Sequence, residues 1–326
     1  MQAAPRPARP SISCVMPAYN EAENLPALLT QLLPQLAALT ERFEVVIVDD
    51  GSTDATAAAI APWVQQGGVR YLRLSRNFGK EHALTAGIDH ARGEVVVLMD
   101  ADLQHPVEIV ARMLEAWQQG ADMVCAARAS RADESWTKRL GTALFYWIVN
   151  RKGSKVQIPV DAGDFRLMDR RVVDALKSLP ERNRFMKGLY AWVGFRTEII
   201  DYVPAERQAG HSSFSLRSLV HLALTGVTAF SNVPLRLWSG AGALIAVGAI
   251  GFGIVIVIEH FVRGHDVPGW ATLVTSLMFF SGVQLLSIGI LGEYVGRIFD
   301  EVKQRPIYLV ASEQGTGLTQ GETPHG

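Results

Sequence analysis

Over the first part of the chain, short apolar runs alternate with longer stretches of helical periodicity. Residues 12–16, 45–48, 69–74, 95–99 and 123–127 are nearly unbroken apolar runs, the pattern of strands buried on both faces. Helix-length segments begin near Ala22, Asp54, Lys80 and Val107. Ser52, Thr53 and Asp54 are N-cap candidates for the second helix, and Pro106 sits where a helix entry is expected. This strand–helix rhythm predicts an α/β fold, a mostly parallel sheet with helices on both faces. Between about 128 and 165 the rhythm breaks into a polar loop and an aromatic-rich helix around 140–150. Residues 164–169 restore a strand-like run.

The pattern changes again beyond residue 236. Residues 238–258 carry no charged side chain, and at helical rise they span roughly 31 Å, the thickness of a hydrocarbon core. Residues 267–292 form a second uncharged run. A short linker joins the two runs, which predicts a two-helix transmembrane hairpin. The linker carries one basic residue, Arg263, whereas Arg217, Arg236, Arg297, Lys303 and Arg305 lie outside the hairpin. The positive-inside rule places both flanks in the cytoplasm, giving a multi-pass protein of the inner membrane. The expected organisation is a disordered Pro/Arg-rich lead-in (1–10) without a signal-peptide pattern, a cytoplasmic α/β domain (11–214) and an amphipathic juxtamembrane segment (215–236). The hairpin (237–293, with spans near 238–258 and 268–292) and a cytoplasmic tail (294–326) follow. The juxtamembrane segment reads first as a helix lying in the interface plane, with a core helix as the alternative. Gly240, Gly242 and Gly248 suit close helix packing and leave a homo-oligomer open.

Charge and cysteine content narrow the function classes. With a formal net charge of −1 over 326 residues, nothing points to nucleic acid as a partner. Cys14 and Cys125 sit in apolar runs and read as buried, unpaired thiols, and no Cys/His cluster has zinc spacing.

The candidate chemistry begins where the fourth apolar run meets Asp100-Ala-Asp102-Leu-Gln104. In open α/β sheets, ligands bind beyond the carboxyl ends of the strands. Two carboxylates two residues apart in extended chain share a side, and suit a divalent cation that keeps room for waters and phosphates. The first strand ends in Pro17-Ala-Tyr19-Asn20-Glu21 and the second in Asp49-Asp50-Gly-Ser-Thr-Asp54, placing polar turns on the same rim. No GxGxxG follows the first strand, so the dinucleotide fingerprint is missing.

These segments, with Arg76-Asn-Phe-Gly-Lys80-Glu81, resemble the family 2 glycosyltransferases with a GT-A nucleotide-diphospho-sugar domain. The segments at 163–169, 181–188, 207–212 and 292–297 narrow the likeness to the polyprenyl-phosphate glycosyltransferases, which include dolichol-phosphate mannose synthases and bactoprenol glucosyltransferases. The resemblance covers about residues 11–308. It implies that Pro17, Tyr19, Asn20, Glu21, Asp49 or Asp50, Lys80 and Asp100 hold a nucleotide-sugar donor. It also implies that Asp100, Asp102 and Gln104 surround Mg²⁺ or Mn²⁺, and that Asp102 and Asp164 are the catalytic carboxylates.

The implied acceptor is a polyprenyl phosphate held at the bilayer. A phosphate monoester is largely dianionic at neutral pH, so it needs positive charge around it more than a general base. Arg128, Arg131, Arg166, Lys187 and Arg207, with Ser212, are the candidates for that phosphate. Ser213 stands where relatives often carry a cation. Asp164 either orients the acceptor or serves as a base. His105 reads as polar surface at a helix entry and His82 as helix packing. The implied reaction is inverting transfer of a hexose, glucose from UDP-glucose, to the lipid phosphate, with GDP-mannose or a UDP-aminosugar as alternative donors. A processive polysaccharide synthase is the second reading, although Gln-x-x-Arg-Trp is missing. A catalytically inactive membrane scaffold is the third.

Overall fold

The computed structural model describes residues 6–128, 162–182, 184–202, 233–263 and 269–318. The expected polar loop after Arg128, the aromatic helix at 140–150 and the juxtamembrane segment up to 232 fall outside these residues. Eight strands form one sheet: β1 (Ile12–Ala18), β2 (Phe43–Asp49), β3 (Val69–Leu74), β4 (Val95–Leu98), β5 (Met123–Arg128), β6 (Ala162–Asp169), β7 (Thr197–Tyr202) and β8 (Val310–Gln314). The strand order is β7-β5-β6-β4-β1-β2-β3-β8. β1 pairs in parallel with β2 and β4, as β2 does with β3 and β5 with β7. β6 runs antiparallel between β4 and β5, and β8 runs antiparallel along β3.

The helices of this domain are α1 (Asn24–Leu39), α2 (Thr56–Gln66), α3 (Lys80–His90), α4 (Ile109–Gln118), α5 (Arg170–Lys177) and α6 (Met186–Trp192). The two faces of the sheet are covered separately because strand side chains alternate. Ile12, Cys14 and Met16 of β1 and Val45 and Ile47 of β2 pack with Leu28, Leu32 and Leu36 of α1 and Met113 of α4. Val15, Val46 and Val48 face the other way, against Leu84 and Ile88 of α3 and Leu176 of α5. The continuous apolarity of these strands therefore reflects burial on both faces, as expected. Gly87 permits the close approach of α3, because a Cβ there would collide with the Val15 side chain. Both cysteines are free and buried, and burial pushes the Cys14 thiol up to about 12.

Two regions differ from the sequence expectation. The end of the lead-in is tied down: Arg6 lies over the Trp117 ring and pairs with Asp122 at 2.8 Å. The tail after the second apolar run is also ordered onto the sheet. β8 closes the exposed edge of β3, and Glu313 reaches the buried Arg70 at 2.6 Å. Tyr308 donates to Asp89 at 2.9 Å. Its alternation is too short and polar to read as a strand by pattern, since neither of its faces is buried in the core.

Two long helices connect the domain to this tail, α7 (Val233–Arg263) and α8 (Trp270–Lys303). They touch where Trp238 Nε1 donates to Ser287 Oγ at 2.5 Å. Their apolar side chains are exposed, among them Leu244, Val247, Leu277 and Leu285. By length and composition, residues Thr275–Lys303 could cross a membrane, and none of their most apolar window is buried. α7 contributes a shorter apolar stretch, Gly240–Val255. The described residues thus give one candidate span where two were expected. α8 also runs about three turns beyond the expected end of its span at 292. There Glu301 accepts from the Arg182 backbone N–H at 2.9 Å, which docks the helix on the α/β domain.

Candidate active site

The site lies at the carboxyl ends of β1, β2 and β4, where the parallel strands point their loops the same way. Two of these loops are laced together. Asn20 adopts a left-handed backbone (φ 57°), a conformation asparagine tolerates. Its N–H donates to Ser52 Oγ at 2.9 Å, and its Oδ1 accepts from the Thr53 N–H at 2.9 Å. Asp54 accepts from the Thr56 N–H at 3.0 Å in the turn ahead of α2, whose N-cap position is Ala55 with no side-chain cap, while Ser52 is drawn to the neighbouring loop. Glu21 accepts from the Asn24 side chain at 2.7 Å. Pro17 is half-buried beside this lacing, and Tyr19 stands 46% exposed at the rim.

Asp49 and Asp50 turn inward. Asp49 accepts the Ser52 N–H at 2.7 Å and the Tyr71 hydroxyl, with the Arg73 guanidinium at 3.8 Å. Asp50 accepts the Phe78 N–H at 2.7 Å and the Gly79 N–H at 2.8 Å. Burial raises the Asp50 carboxyl above its usual range against the pull of those two amides. Both carboxylates, expected as nucleoside contacts, thus hold the protein's own backbone. The loop carrying Lys80 hangs from Asp50, and Gly51 (φ 71°) lets it pass: a Cβ there would lie 2.5 Å from the Arg76 carbonyl carbon.

Lys80, the first residue of α3, projects into the acidic centre. Its ammonium lies 2.7 Å from Asp100 Oδ1 and 3.0 Å from Asp164 Oδ2. Desolvation opposes the charge on Lys80, but Asp164 and Asp100 outweigh it and hold the ammonium above its ordinary pKa. Burial likewise works against ionised Asp100. Lys80 and then His105 overcome it, so the carboxyl sits well below the usual range. For Asp164 the same burial is overcome by Lys80 and then Lys187, again lowering the carboxyl. Among the described residues, Asp164 Oδ1 is buried without a hydrogen-bond partner.

β4 ends at Leu98, so Asp100 and Asp102 lie in a bend beyond the strand. The extended-chain reason for placing both carboxylates on one side therefore does not apply. The bend is made by Leu103 in a left-handed conformation (φ 61°), which brings the Gln104 N–H to Asp102 Oδ1 at 3.2 Å. A leucine there costs about 1–2 kcal/mol, and packing of its side chain against the core offsets it.

The expected acceptor cations separate. Lys187, at the start of α6, acts electrostatically on both Asp164 and Glu81. Arg166 is buried in β6, donates to the Gly163 carbonyl at 2.6 Å and lies 3.6 Å from the Tyr190 ring centroid. It therefore faces the core, a position for bracing the strand that carries Asp164. Arg128 ends β5. Arg131, Arg207 and Ser212 lie outside the described residues.

Two groups at the site were misread or missed in the sequence. Glu81 accepts the Met186 N–H at 2.9 Å, and burial followed by Asp164 raises its carboxyl to about 7. Its only sequence signal was its place beside Lys80. His105 is buried, not surface: its Nδ1 meets the Tyr202 hydroxyl at 3.0 Å and its ring packs on Phe165. Tyr202 and Phe165 come from distant strands, so no local pattern revealed that pocket. His82, by contrast, sits in α3 with Nδ1 against the Phe78 carbonyl at 2.7 Å, close to the packing role expected.

The donor set fits a hard divalent cation. Asp100, Asp102 and the Gln104 amide offer oxygens beyond a strand end, and Asp100 already draws a cation, the Lys80 ammonium. Among the described residues, no group of three or more His, Cys, Asp and Glu side chains is placed to hold a metal ion by itself. An ion held at Asp100 and Asp102 would therefore need its coordination completed by substrate phosphates and water.

Strand ends, acidic bend and flanking cations define a GT-A nucleotide-sugar transferase. The glycosyl transferase family 2 model matches residues 13–177, which contain the ends of β1, β2 and β4, Lys80, the acidic bend and Asp164, but not Lys187 or the two long helices. The chain belongs to that family and is a glycosyltransferase. It is 44% identical to the bactoprenol glucosyl transferase of Shigella phage SfV, over 93% of this chain and 99% of that protein. It is 42% identical to a prophage bactoprenol glucosyl transferase homolog of Escherichia coli, over 92% of this chain and 98% of that protein. An uncharacterized glycosyltransferase of Synechocystis is also 42% identical, over 93% and 96% of the two chains. Among solved structures, glucosyl-3-phosphoglycerate synthase of Mycobacterium tuberculosis aligns over 67% of this chain and 79% of that one, with TM-score 0.47 and 21% identity.

Proposed function

We propose that this protein transfers glucose from UDP-glucose, with inversion, to a polyprenyl phosphate at the cytoplasmic face of the inner membrane. The observation that carries this reading is the extent of the likeness to bactoprenol glucosyl transferases. It runs through the α/β domain and on through both apolar helices. In this reading α7 and α8 both span the bilayer, and the acidic centre works above it.

The donor enters at the ends of β1, β2 and β4, with its base against Tyr19 and its diphosphate at Asp100. Asp49, Asp50 and Asn20 shape this pocket by fixing its loops. Asp100, Asp102 and Gln104 would hold Mg²⁺ or Mn²⁺, which when bound would offset the charge gathering on the departing diphosphate. Lys80 reaches both carboxylates of the centre and remains positive, so it supplies a second charge beside the leaving group.

Asp164 is ionised at neutral pH but paired with Lys80, a poor arrangement for taking a proton. A dianionic phosphate has none to give at the attacking oxygen, so the role that fits Asp164 is orientation. Its unpartnered Oδ1 is an acceptor for a sugar hydroxyl. Lys187, beside it, holds the acceptor phosphate in line with the anomeric carbon.

The test is a donor panel. Membranes carrying the protein would receive labelled UDP-glucose, UDP-galactose, GDP-mannose or a UDP-aminosugar, with Mg²⁺ or Mn²⁺ and polyprenyl phosphate. Label from UDP-glucose entering the lipid fraction, lost in EDTA, is the expected result. Transfer from another donor alone would change the sugar assignment. No transfer from any donor would overturn the reading.

A further inference from the structure

His105 lies in the turn after the acidic bend, and its surroundings are unusual for a turn residue. The imidazole is buried, with its ring centroid 4.6 Å from that of Phe165 on β6 and 5.7 Å from that of Tyr202 on β7. Phe165 and Tyr202 meet edge to face, so two aromatic rings from neighbouring parts of the sheet wall the imidazole in. A ring that served only to fill this pocket would cost less as a phenylalanine, because burying polar nitrogens is unfavourable unless they are used.

Both nitrogens have a polar neighbour. Nδ1 is 3.0 Å from the Tyr202 hydroxyl, and Nε2 is 3.7 Å from Asp100 Oδ2. When Tyr202 donates to Nδ1, the imidazole proton sits on Nε2 and faces the carboxylate. The opposite tautomer turns a lone pair on Nε2 towards an anion, which is repulsive. The geometry therefore selects the Nε2–H form.

We propose that His105 is a positioning residue for the metal site: held in its tautomer by Tyr202, it steadies Asp100 so that the carboxylate can receive the divalent cation. The inference rests on the metal reading above. It links the end of β7 to the acidic bend through one side chain. Carboxylates that ligate metals are commonly fixed by such a second hydrogen bond, and losing it typically weakens the metal about 10–100-fold. At 3.7 Å, Nε2 stands within ion-pair range of Asp100 Oδ2 while Lys80 holds the same carboxylate.

The experiment measures Mn²⁺ binding by the full-length protein in detergent with saturating UDP, from the electron paramagnetic resonance signal of free Mn²⁺. Three variants are compared: His105→Phe, which keeps a ring and removes the donor; His105→Gln, which restores an N–H near the Nε2 position; and Tyr202→Phe, which leaves both rings in place. His105→Phe is expected to weaken Mn²⁺ about tenfold or more, Tyr202→Phe by several-fold, and His105→Gln to stay within about threefold of wild type. Wild-type Mn²⁺ affinity in both His105→Phe and Tyr202→Phe would overturn the inference, as would equal losses in His105→Phe and His105→Gln. Should His105→Phe fail to fold, Tyr202→Phe and His105→Gln decide the matter by the same two criteria. A wild-type protein that binds no Mn²⁺ with UDP would instead sink the metal reading itself.

Discussion

Lys80 grips Asp100 through both carboxylate oxygens, at 2.7 Å and 2.9 Å, while the same ammonium reaches Asp164 at 3.0 Å. One cation from the start of α3 thus holds together two carboxylates, one beyond β4 and one on β6. This has two consequences of opposite sign. Without the ammonium, Asp100 and Asp164 repel one another beside the leaving group, so Lys80→Met should lower kcat/KM for the donor by about 10–100-fold, or roughly 1.4–2.7 kcal/mol. The same variant should bind Mn²⁺ more tightly in the absence of nucleotide, because nothing competes for Asp100. Steady-state kinetics and a metal titration check the pair. Loss of both activity and metal affinity would show that Lys80 builds the site and does not merely share it.

Glu81 should make the protein's stability depend on pH. Its carboxyl is raised to about 7 by burial and by Asp164, from an ordinary value near 4.5. Between those two values the folded state keeps a proton that the unfolded chain has released. Stability therefore falls as pH rises from about 4.5 to 7, then levels off. Glu81→Gln keeps an oxygen for the Met186 N–H and removes the titration. The variant should be more stable than wild type at pH 8, by up to about 3 kcal/mol, with the gap closing towards pH 5. Melting temperatures of both proteins from pH 5 to 8 give the answer. A constant offset would assign the effect to packing.

Asp50 separates a structural role from a nucleoside contact. It holds the Phe78 and Gly79 amides, and with them the loop that delivers Lys80. Asp50→Ala strands two partly buried donors, at about 1–3 kcal/mol each. The variant should melt lower and lose kcat, with little selective effect on donor KM. A direct contact with the base would do the reverse, raising donor KM at unchanged stability.

What the sequence made legible follows from where the chemistry sits. Strands β1 to β5 were readable because burial on both faces leaves unbroken apolar runs such as Val45, Val46, Ile47 and Val48. The acidic bend was readable because Asp100 and Asp102 follow such a run directly. The roles of Asp49, Asp50 and Asn20 were not, since a carboxylate that reads a base and one that caps a loop look alike in one dimension. His105 and Arg166 were misjudged for a related reason. Their partners Tyr202 on β7 and Tyr190 on α6 lie far along the chain, and only the folded packing brings them together. The tail strand escaped because edge pairing is satisfied by backbone and leaves no hydrophobic signature.

That tail makes a prediction about the whole molecule. β8 covers the edge of β3, and Glu313 is one of two carboxylates on the buried Arg70, the other being Glu44 at 3.2 Å. Arg70 also donates to the His90 carbonyl at 2.8 Å, so it keeps partners when Glu313 is lost. Glu313 is itself 42% exposed, and solvent weakens its share. Glu313→Ala should therefore cost only about 1 kcal/mol, a few degrees in melting temperature. Ending the chain after residue 309 does more, because it unpairs the backbone of β3 along a whole edge. Such an edge is a template for pairing with other chains. The truncated protein should melt well below Glu313→Ala and elute as larger species in size-exclusion chromatography. If the truncated and full-length chains melt together and elute alike, β8 is an ornament to the sheet and not part of what holds it.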